Sequence, residues 1–424
     1  MKSGRRNFLR GLGAGVIGVL AGVPARAAGA RELPSFDAAD PERYWSEART
    51  HYPLLPAPAY LNCGGLGPAP ASVLEAVDAA SRRLQEHCEH GREEFEPARA
   101  AVAGFIGALP EETCFVRNAT EGNSIIAAGL ALSAGDEVIF ETHAHPGGSF
   151  PWLNEAKRRG IVVRLFEPDA TSAEANVVQI RELITSRTRV IQVSHITCTT
   201  GLVFPVAAIA GLARPRGIWF HVDGAQAAGM IPLDIHALGC DSYAFSGHKW
   251  IGGPHETGVL FIRRDRLEDV ACSGAGAHTG DLPRLPGVIS YAGAASRHEY
   301  GTRSTALVAG LAEAVRWHER LGRERIASRG RELAERIRDG LSGVAGIEVL
   351  TPRAAALRGS ITTFRHERAG AHTLFGYLMK EHKLRCRPVT EQGLEAIRVS
   401  THVFNSPAES DRVVAAVRAA SRAF

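Results

Sequence analysis

The chain has 424 residues, of which 45% are hydrophobic and 22% are charged, with seven cysteines and a formal net charge of +4. This composition excludes a disordered chain and a low-complexity fibre, and an odd, sparse set of cysteines excludes a disulfide scaffold. So small a positive surplus argues against a dedicated nucleic-acid binder, which usually carries a strong basic stripe.

The first thirty residues have the pattern of a bacterial export signal. Arg5 and Arg6 precede Asn-Phe-Leu, an uncharged stretch covers residues 11–23, and residues 25–27 read Ala-Arg-Ala, the A-x-A form of a cleavage site. The stretch is too short to cross a hydrocarbon core of about 30 Å, so we predict no stable membrane span. The paired arginines favour the twin-arginine machinery as a partner and a periplasmic or exported location. An ordinary secretory signal and an uncleaved anchor are the alternatives.

Residues 13–18 match the G-x-G-x-x-G pattern of dinucleotide sites. No strand is predicted before this match, and its neighbours belong to the export signal. We therefore predict no dinucleotide site there.

From about residue 113, short β-rich runs alternate with helical stretches. The predicted strands are Thr113–Val116, Glu137–Phe140, Val162–Phe166, Arg189–His195, Trp219–Asp223, Ser242–Ser246 and Gly258–Arg263. The predicted helices between them begin at Thr120 or lie near Trp152–Arg159 and Val177–Ser186. This alternation predicts an α/β fold with a mostly parallel sheet between helices. Strands this apolar should be buried on both faces.

After about residue 305 the pattern changes. Two long helices are predicted at Ala306–Leu321 and Arg325–Leu341, and alternating strands and helices follow. This favours a smaller C-terminal α+β domain. The predicted division is a signal at 1–30, an N-terminal segment at 31–60, a large domain at 61–305 and the small domain at 306–424.

Two polar residues follow neighbouring apolar strands. Asp223 ends one strand, and Lys249 comes shortly after the strand that ends at Ser246. Alone, Asp223 could be a helix N-cap, and Lys249 a solvated surface group. Ligands of open α/β sheets bind beyond the carboxyl ends of the strands. There, an Asp that keeps a pyridine nitrogen protonated and a Lys that forms an imine are the minimal pair for pyridoxal phosphate (PLP) chemistry.

Two further loops follow strands in the same way. The segment Asn118-Ala119-Thr120 precedes a helix, where backbone N–H groups could bind a phosphate, or where Asn118 or Thr120 could simply cap the helix. His145 could stack on a flat aromatic ring. With His143 it could instead belong to a metal site, but no third ligand at helical spacing supports this, so we predict no metal.

These motifs, in this order, resemble the class V aminotransferase family of fold-type I PLP enzymes, which includes cysteine desulfurases, selenocysteine lyases, kynureninases and isopenicillin N epimerase. The resemblance runs from about Tyr60 to the C-terminus. Its motifs are Tyr60-Leu-Asn-Cys-Gly-Gly-Leu-Gly-Pro68, Asn118-Ala-Thr-Glu121, His145 with Trp152, Ser194-His-Ile-Thr197 with Gly201, Asp223-Gly-Ala-Gln226, Ser246-Gly-His-Lys249, Glu299-Tyr-Gly-Thr302-Arg303 and Arg398-Val-Ser-Thr-His402. The family implies a mostly parallel seven-stranded sheet between helices, with PLP as cofactor.

The resemblance implies a role for each matching residue. Lys249 would form the Schiff base and move the α-proton, for which its amine must lose its charge. Asp223 would hold the pyridinium nitrogen, Gln226 would contact the phenolic oxygen, and His145 would stack on the ring. The residues implied for the phosphate are Ala119, Thr120, Ser246 and His248.

The resemblance also implies partners. Thr302 would complete the phosphate site of a neighbouring subunit, which implies a homodimer. Asn62 and Arg398 would bind the amino-acid substrate, because a planar guanidinium suits bidentate contact with its carboxylate.

The cysteines and two sequence segments help to distinguish the branches of the family. Desulfurases carry a reactive Cys on a flexible loop shortly before the terminal arginine, whereas Cys386 is expected in a strand, as a packed thiol. Cys198 stands where desulfurases often have Asn. Residues 194–205 and 399–405 look most like the isopenicillin N epimerase-like branch. The sequence therefore favours an epimerase or aminotransferase acting at the α-carbon of an amino acid. The alternatives are a C–S or β-eliminating lyase, related to cysteine desulfurase, and a non-catalytic binding protein.

Overall fold

The structure is a computed structural model that describes residues 32–281, 285 and 287–424, so the export signal and the G-x-G-x-x-G match lie outside it. Residues Leu33–Phe424 form one unit, and the predicted domain boundary at residue 305 stays a prediction. The helices are α1 (Pro41–Thr50), α2 (Ala71–His87), α3 (Phe95–Ile106), α4 (Ala119–Gly129), α5 (Pro146–Arg159), α6 (Ala173–Leu183), α7 (Val206–Ala213), α8 (Ile235–Leu238), α9 (Thr305–Leu321), α10 (Arg323–Leu341), α11 (Ala371–His382) and α12 (Pro407–Ala423). The strands are β1 (Ala59–Tyr60), β2 (Thr113–Val116), β3 (Glu137–Glu141), β4 (Val162–Phe166), β5 (Thr188–Ser194), β6 (Trp219–Asp223), β7 (Ser242–Ser246), β8 (Gly258–Ile262), β9 (Gly280–Asp281), β10 (Ser290–Tyr291), β11 (Ile347–Val349), β12 (Ile361–His366), β13 (Leu384–Arg385), β14 (Arg387–Val389) and β15 (Ala396–Ser400).

A seven-stranded sheet in the order β2-β8-β7-β6-β5-β3-β4 carries the candidate site. Strands β7, β6, β5, β3 and β4 pair in parallel, and β8 runs antiparallel to both of its neighbours. The mostly parallel, seven-stranded α/β sheet expected from the sequence is therefore confirmed. Because the strands are parallel, β3, β5, β6 and β7 all end at one edge.

Burial is nearly complete in this sheet except in β4. Every residue of β6, β7 and β8 is buried, as expected for apolar strands covered by helices on both faces. The same expectation is wrong for β4, where Val162 is 39% and Leu165 is 51% exposed. An edge position is not a sufficient cause, because β2 lies at the opposite edge and is fully buried.

Helix α5 begins at Pro146, six residues before its predicted start near Trp152. His145 is the N-cap, and Pro146 at the first helical position needs no N–H partner. Pro151 lies inside the helix, one residue before the predicted start. The earlier start places His145 directly at the edge where β3 ends.

The C-terminal part has the predicted α+β character. A four-stranded antiparallel sheet, in the order β11-β12-β15-β14, packs against α10 and α11. The N-terminal segment meets this part of the chain, since β1 pairs in parallel with β13 in a separate two-stranded sheet, and Asn62 forms a bridge with Ser400 of β15. This bridge places Asn62 beside β15, the strand that contains Arg398.

None of the helices in the described part of the chain combines the length and hydropathy that a membrane span needs.

Candidate active site

Asp223 is buried at the end of β6, and its carboxylate is held by two donors. Nδ2 of Asn123 donates to Oδ2 at 3.0 Å, and the backbone N–H of Ala225 donates to Oδ1 at 3.0 Å. The second contact is a local turn two residues on, and no α-helix begins there in the structure, so the N-cap interpretation of Asp223 is wrong. Glycine at position 148 lets the start of α5 approach Asp223, because a Cβ added there would lie 2.9 Å from Oδ2 of Asp223.

Lys249 lies three residues beyond β7 and is only partly exposed. Burial lowers the pKa of its amine, nearby Asp223 acts in the opposite direction, and the Arg398 and Arg387 guanidinium groups lower it further. The interpretation as a solvated surface lysine therefore fails. A lowered pKa leaves more of the amine uncharged at neutral pH, which nucleophilic attack requires.

The backbone at Lys249 is fixed by the glycine-rich segment after β1. The N–H of Gly67 donates to the carbonyl of His248 at 2.8 Å. A Cβ added at Gly67 would lie 1.7 Å from the carbonyl oxygen of Lys249. Only glycine permits this approach, so the N-terminal segment sets the position of the lysine.

Gly67→Ala should therefore displace Lys249 and weaken PLP binding by about tenfold or more, because a clash of this size forces the backbone to move. Gly104→Ala is the matched control: it lies in α3 with nothing within 4 Å of the new Cβ, so alanine should be neutral or slightly stabilising. Equilibrium dialysis of PLP against each purified variant measures the effect. Wild-type PLP affinity in the Gly67 variant would contradict this account.

His145 interacts electrostatically with both Lys249 and Asp223. Its Nδ1 accepts a hydrogen bond from the N–H of Gly147 at 3.0 Å, so Nδ1 carries no proton. Burial and the charge of Lys249 lower the pKa of His145, while Asp223 opposes them. The ring is therefore neutral at pH 7. In the described ranges no group of three or more His, Cys, Asp or Glu is placed to hold a metal ion.

The four residues predicted for the phosphate lie around the start of α4 and the end of β7. Ser246 Oγ accepts a hydrogen bond from the N–H of Ala119 at 3.0 Å. The Asn118 side chain caps the helix by accepting from the N–H of Glu121 at 2.9 Å, so the capping interpretation holds for Asn118. Thr120 contacts the start of α5, where a Cβ at Gly147 would lie 2.2 Å from its Oγ1.

His248 completes this end of the site. Burial and neighbouring Lys249 lower the pKa of its imidazole to about 4, so it is neutral at pH 7. Its buried Nδ1 has no hydrogen-bond partner among the described residues. A buried, unpartnered ring nitrogen is costly and indicates that a further group binds here.

Arg398 lies in β15 and is 1% exposed. Nη1 donates to the carbonyl oxygen of Cys198 at 2.8 Å, and Nη2 donates to Oδ1 of Asn62 at 2.8 Å. Both partners are neutral oxygens, and Nε has no partner in the part of the chain that the structure describes. Burial, reinforced by Arg387, lowers the pKa of this guanidinium to about 10. The group is a charged donor that an anion would stabilise.

Gln226 is buried with both ends of its amide engaged. Nε2 donates to the carbonyl of Gly64 at 2.8 Å, and Oε1 accepts from the indole N–H of Trp250 at 2.9 Å. These bonds tie the Gly64 loop to the residue after Lys249. Its predicted contact with a phenolic oxygen stays a prediction.

Thr302 lies elsewhere in the chain. It lines a cavity with Glu121, Thr257 and Arg303, which borders the start of α4 but does not include Lys249. The loop is anchored by buried Glu299, which accepts from both terminal nitrogens of Arg99 at 2.7 and 3.1 Å. The predicted cofactor residues other than Thr302 lie at or near the strand ends of the seven-stranded sheet, whereas Asn62 follows β1 and Arg398 lies in β15.

Sequence analysis missed Arg387. It lies directly opposite Arg398 in the β14–β15 ladder and forms an ion pair with Glu391. It lowers the pKa of both Lys249 and His145, which places its charge at the site. The sequence indicated its role only through its place, a short distance before the strand that contains Arg398.

Arg387→Leu should raise the pKa of Lys249, because the substitution removes a positive charge that disfavours the protonated amine. The rate at which the apo-protein captures PLP rises as the amine loses its proton, so the midpoint of that rate should move to higher pH. Stopped-flow absorbance across a pH series measures it. Arg385→Leu, at a position on the preceding strand where Arg385 packs over Tyr60, is the control and should leave the midpoint in place. A downward shift for Arg387→Leu would contradict the assignment.

Cys386 was expected within a strand, and this expectation is wrong. It is the single residue between β13 and β14, because the chain crosses there from pairing with β1 to pairing with β15. Its thiol is 3% exposed within an apolar cluster, and burial raises its pKa to about 12. Cys198 is also buried, and burial raises its pKa.

The residues present fit pyridoxal phosphate. An amine with a lowered pKa, a carboxylate held by two donors and a neutral imidazole interact at one edge of the sheet. The two unpartnered nitrogens, on His248 and Arg398, suit the anionic groups of a phosphate and a carboxylate. The fold and this site define a fold-type I PLP enzyme.

Comparison with known proteins identifies the family. Residues 69–412 match the profile of the family described as Aminotransferase class-V, and the chain belongs to this family. It is an enzyme of the family, with PLP as its cofactor.

Similar proteins have different names. The isopenicillin N epimerase of Amycolatopsis lactamdurans is 32% identical, over 89% of this chain and 99% of its own length. A probable cysteine desulfurase of Pseudomonas aeruginosa is also 32% identical, over 83% and 91%. Among solved structures, a C-DES mutant with glycine covalently linked to the PLP cofactor superposes with a TM-score of 0.80 at 27% identity, over 87% and 98%.

Proposed function

We propose that this enzyme acts at the α-carbon of an amino acid, as an epimerase or aminotransferase. The observation that carries the proposal is the buried guanidinium of Arg398, which has only neutral partners and acts on the charge of Lys249. It would bind the α-carboxylate and so present the α-carbon to the lysine. The similarity to isopenicillin N epimerase supports this choice.

Each residue has a definite task in this proposal. PLP, when bound, supplies an electron sink for a bond at the α-carbon. Lys249 would hold the cofactor and, as an uncharged amine, would take and return the α-proton. Asp223 would pair with the pyridine nitrogen. Neutral His145 covers the flat face of the ring without adding a charge, and Arg398, oriented by Asn62, fixes the substrate carboxylate.

The similarity to probable cysteine desulfurases supports a second candidate, a lyase that cleaves a C–S bond. A desulfurase that passes sulfur to its own thiol needs an accessible, acidic cysteine. Cys386 and Cys198 are both buried with raised pKa values, so neither thiol suits that task. A lyase that releases its products directly needs no protein thiol and stays the alternative.

One experiment separates the candidates. The purified enzyme is incubated in D₂O with single enantiomers of an amino-acid panel, while the cofactor spectrum is monitored. An epimerase incorporates deuterium at the α-carbon and yields the opposite enantiomer, and an aminotransferase yields a 2-oxo acid with a shifted cofactor spectrum. Release of pyruvate or alanine from cysteine or its conjugates would instead establish the lyase. Absence of any reaction across the panel would contradict the proposal.

We further infer that the protein is exported by the twin-arginine route. The support is the pairing of Arg5 and Arg6 ahead of an uncharged stretch. Replacing both with lysine should retain the protein in the cytoplasm, which cell fractionation detects. Unchanged export of that variant would refute the inference.

We also infer a homodimer. The support is that Thr302 lies in a loop anchored by buried Glu299 and lines a cavity that reaches Glu121 of α4 but not Lys249 of its own chain. Light scattering should give twice the mass of one chain, and a monomeric active enzyme would refute the inference.

A further inference from the structure

A chain of buried polar side chains runs beneath the candidate site to Asp223. His221 lies on β6 two residues before Asp223, and both of its ring nitrogens are bonded: Nδ1 to Oγ of Ser242 at 2.8 Å, and Nε2 to Oδ1 of Asn123 at 2.8 Å. Nδ2 of Asn123 then donates to Oδ2 of Asp223 at 3.0 Å. All four residues are buried.

The protons in this chain can be assigned from the partners alone. Nδ2 of Asn123 donates to two acceptors, Oδ2 of Asp223 and the carbonyl of Gly147, so the amide oxygen must face His221. Nε2 of His221 therefore carries a proton. At the far end Ser242 accepts from the indole N–H of Trp219, so its own proton goes to Nδ1 of His221.

When His221 is neutral, each donor and acceptor that links Ser242, His221, Asn123 and Asp223 therefore has a hydrogen-bond partner. Burial lowers the pKa of His221 to about 3, which agrees with this assignment. All donors in the chain point the same way, from His221 through Asn123 toward the carboxylate. An N–H donor favours the charged form of the carboxylate that accepts it.

This hydrogen-bonded series of side chains lies in an apolar region, where the fold alone does not require polar residues. Asn123 lies on α4 among buried apolar residues such as Ile125 and Ile126, where an apolar side chain would need no partners. Burying three polar side chains is expensive unless each hydrogen bond is made. Here the bonds run in series and end on one oxygen of Asp223.

We propose that Asn123 and His221 are positioning residues of the active site, which hold the Asp223 carboxylate ready for the pyridine nitrogen of the cofactor. This inference rests on the proposed role of Asp223. Neither residue touches the cofactor in the proposal; both act through Asp223.

The test compares two cofactors that differ at one atom. PLP has the ring nitrogen, and 1-deaza-PLP has a C–H in its place and cannot pair with Asp223. Asn123→Leu should weaken binding of PLP by about tenfold or more, the effect of losing a hydrogen bond to a charged group, and should change the affinity for 1-deaza-PLP less than about twofold. Equilibrium dialysis measures both constants without any turnover.

His221 provides a graded second test that does not depend on how well the Asn123 variant folds. His221→Gln keeps an N–H donor that can reach Asn123 and should restore most of the preference for PLP over the deaza analogue. His221→Leu should lose this preference. The matched control is Gln192→Leu, since Gln192 is buried on the neighbouring strand and bonds Trp152 and Gly148, but not Asp223. It should affect both cofactors equally.

The outcomes are distinct. Equal weakening of both cofactors by Asn123→Leu, or no weakening of either, would overturn the inference. Asp223→Asn serves as the reference: if it too fails to discriminate between the cofactors, the proposed role of Asp223 is wrong. If Asp223→Asn discriminates and the Asn123 and His221 variants do not, only the positioning role falls.

Discussion

Lys249→Ala should abolish turnover of any amino acid, with a loss of about 10³-fold or more in kcat. The substitution removes the amine that attaches the cofactor and the base that moves the α-proton, and general base catalysis alone contributes on this scale. The absorbance of bound PLP should shift toward that of the free aldehyde, since no lysine imine can form at this position. Steady-state kinetics and the absorbance spectrum of the reconstituted variant measure the two effects.

The control for this prediction is Lys157→Ala. Lys157 is an exposed residue near the end of α5, and its loss should change neither the spectrum nor the rate. Circular dichroism establishes that both variants fold. Retention of the wild-type cofactor spectrum by Lys249→Ala would show that another amine holds PLP.

Arg398→Leu should raise KM for the substrate by about 10²-fold or more, because it removes two charge-assisted hydrogen bonds to the carboxylate. PLP affinity should change far less, since the cofactor is held by other groups. Lysine at this position should recover little, because a single ammonium cannot keep the bonds to Cys198 and Asn62 and still reach the substrate. Titrations with substrate and with PLP separate the two affinities.

Arg365→Leu is the matched control for Arg398. Arg365 lies on the adjacent strand β12, exposed and paired with Glu348, so its loss should leave KM unchanged. If KM stays at its wild-type value in Arg398→Leu, the carboxylate is bound elsewhere. If PLP binding falls as far as substrate binding, the guanidinium instead supports the whole pocket.

Local signals were sufficient for most of the framework. Apolar runs between turns located β2, β6 and β7 at their observed bounds, because strands buried on both faces select such residues. The start of α5 was missed, although Pro146 at its first position is a common helix start. The exposure of Val162 and Leu165 was missed because the apolar residues of β4 are those of a buried strand.

The candidate site likewise has residues that the sequence could predict and contacts that it could not. Asp223 and Lys249 could be found because each follows its own strand, and parallel strands end at one edge. Contacts between distant segments carry no such signal. Arg398 and Asn62 are 336 residues apart in sequence, and their bond depends on how β1 joins the C-terminal sheet. The bond from Asn123 to Asp223 likewise depends on the rotation of α4 against β6.

The pairing of β1 with β13, and of Asn62 with the strand of Arg398, has a consequence for synthesis. The ribosome makes Lys249 and Asp223 well before β15 emerges, so the residues for the cofactor are complete while the substrate arginine is still absent. A nascent chain that folded early would hold a site able to take up a cofactor but not to bind a carboxylate. Competence for the substrate comes only when β15, the last strand of the chain, has folded beside Asn62.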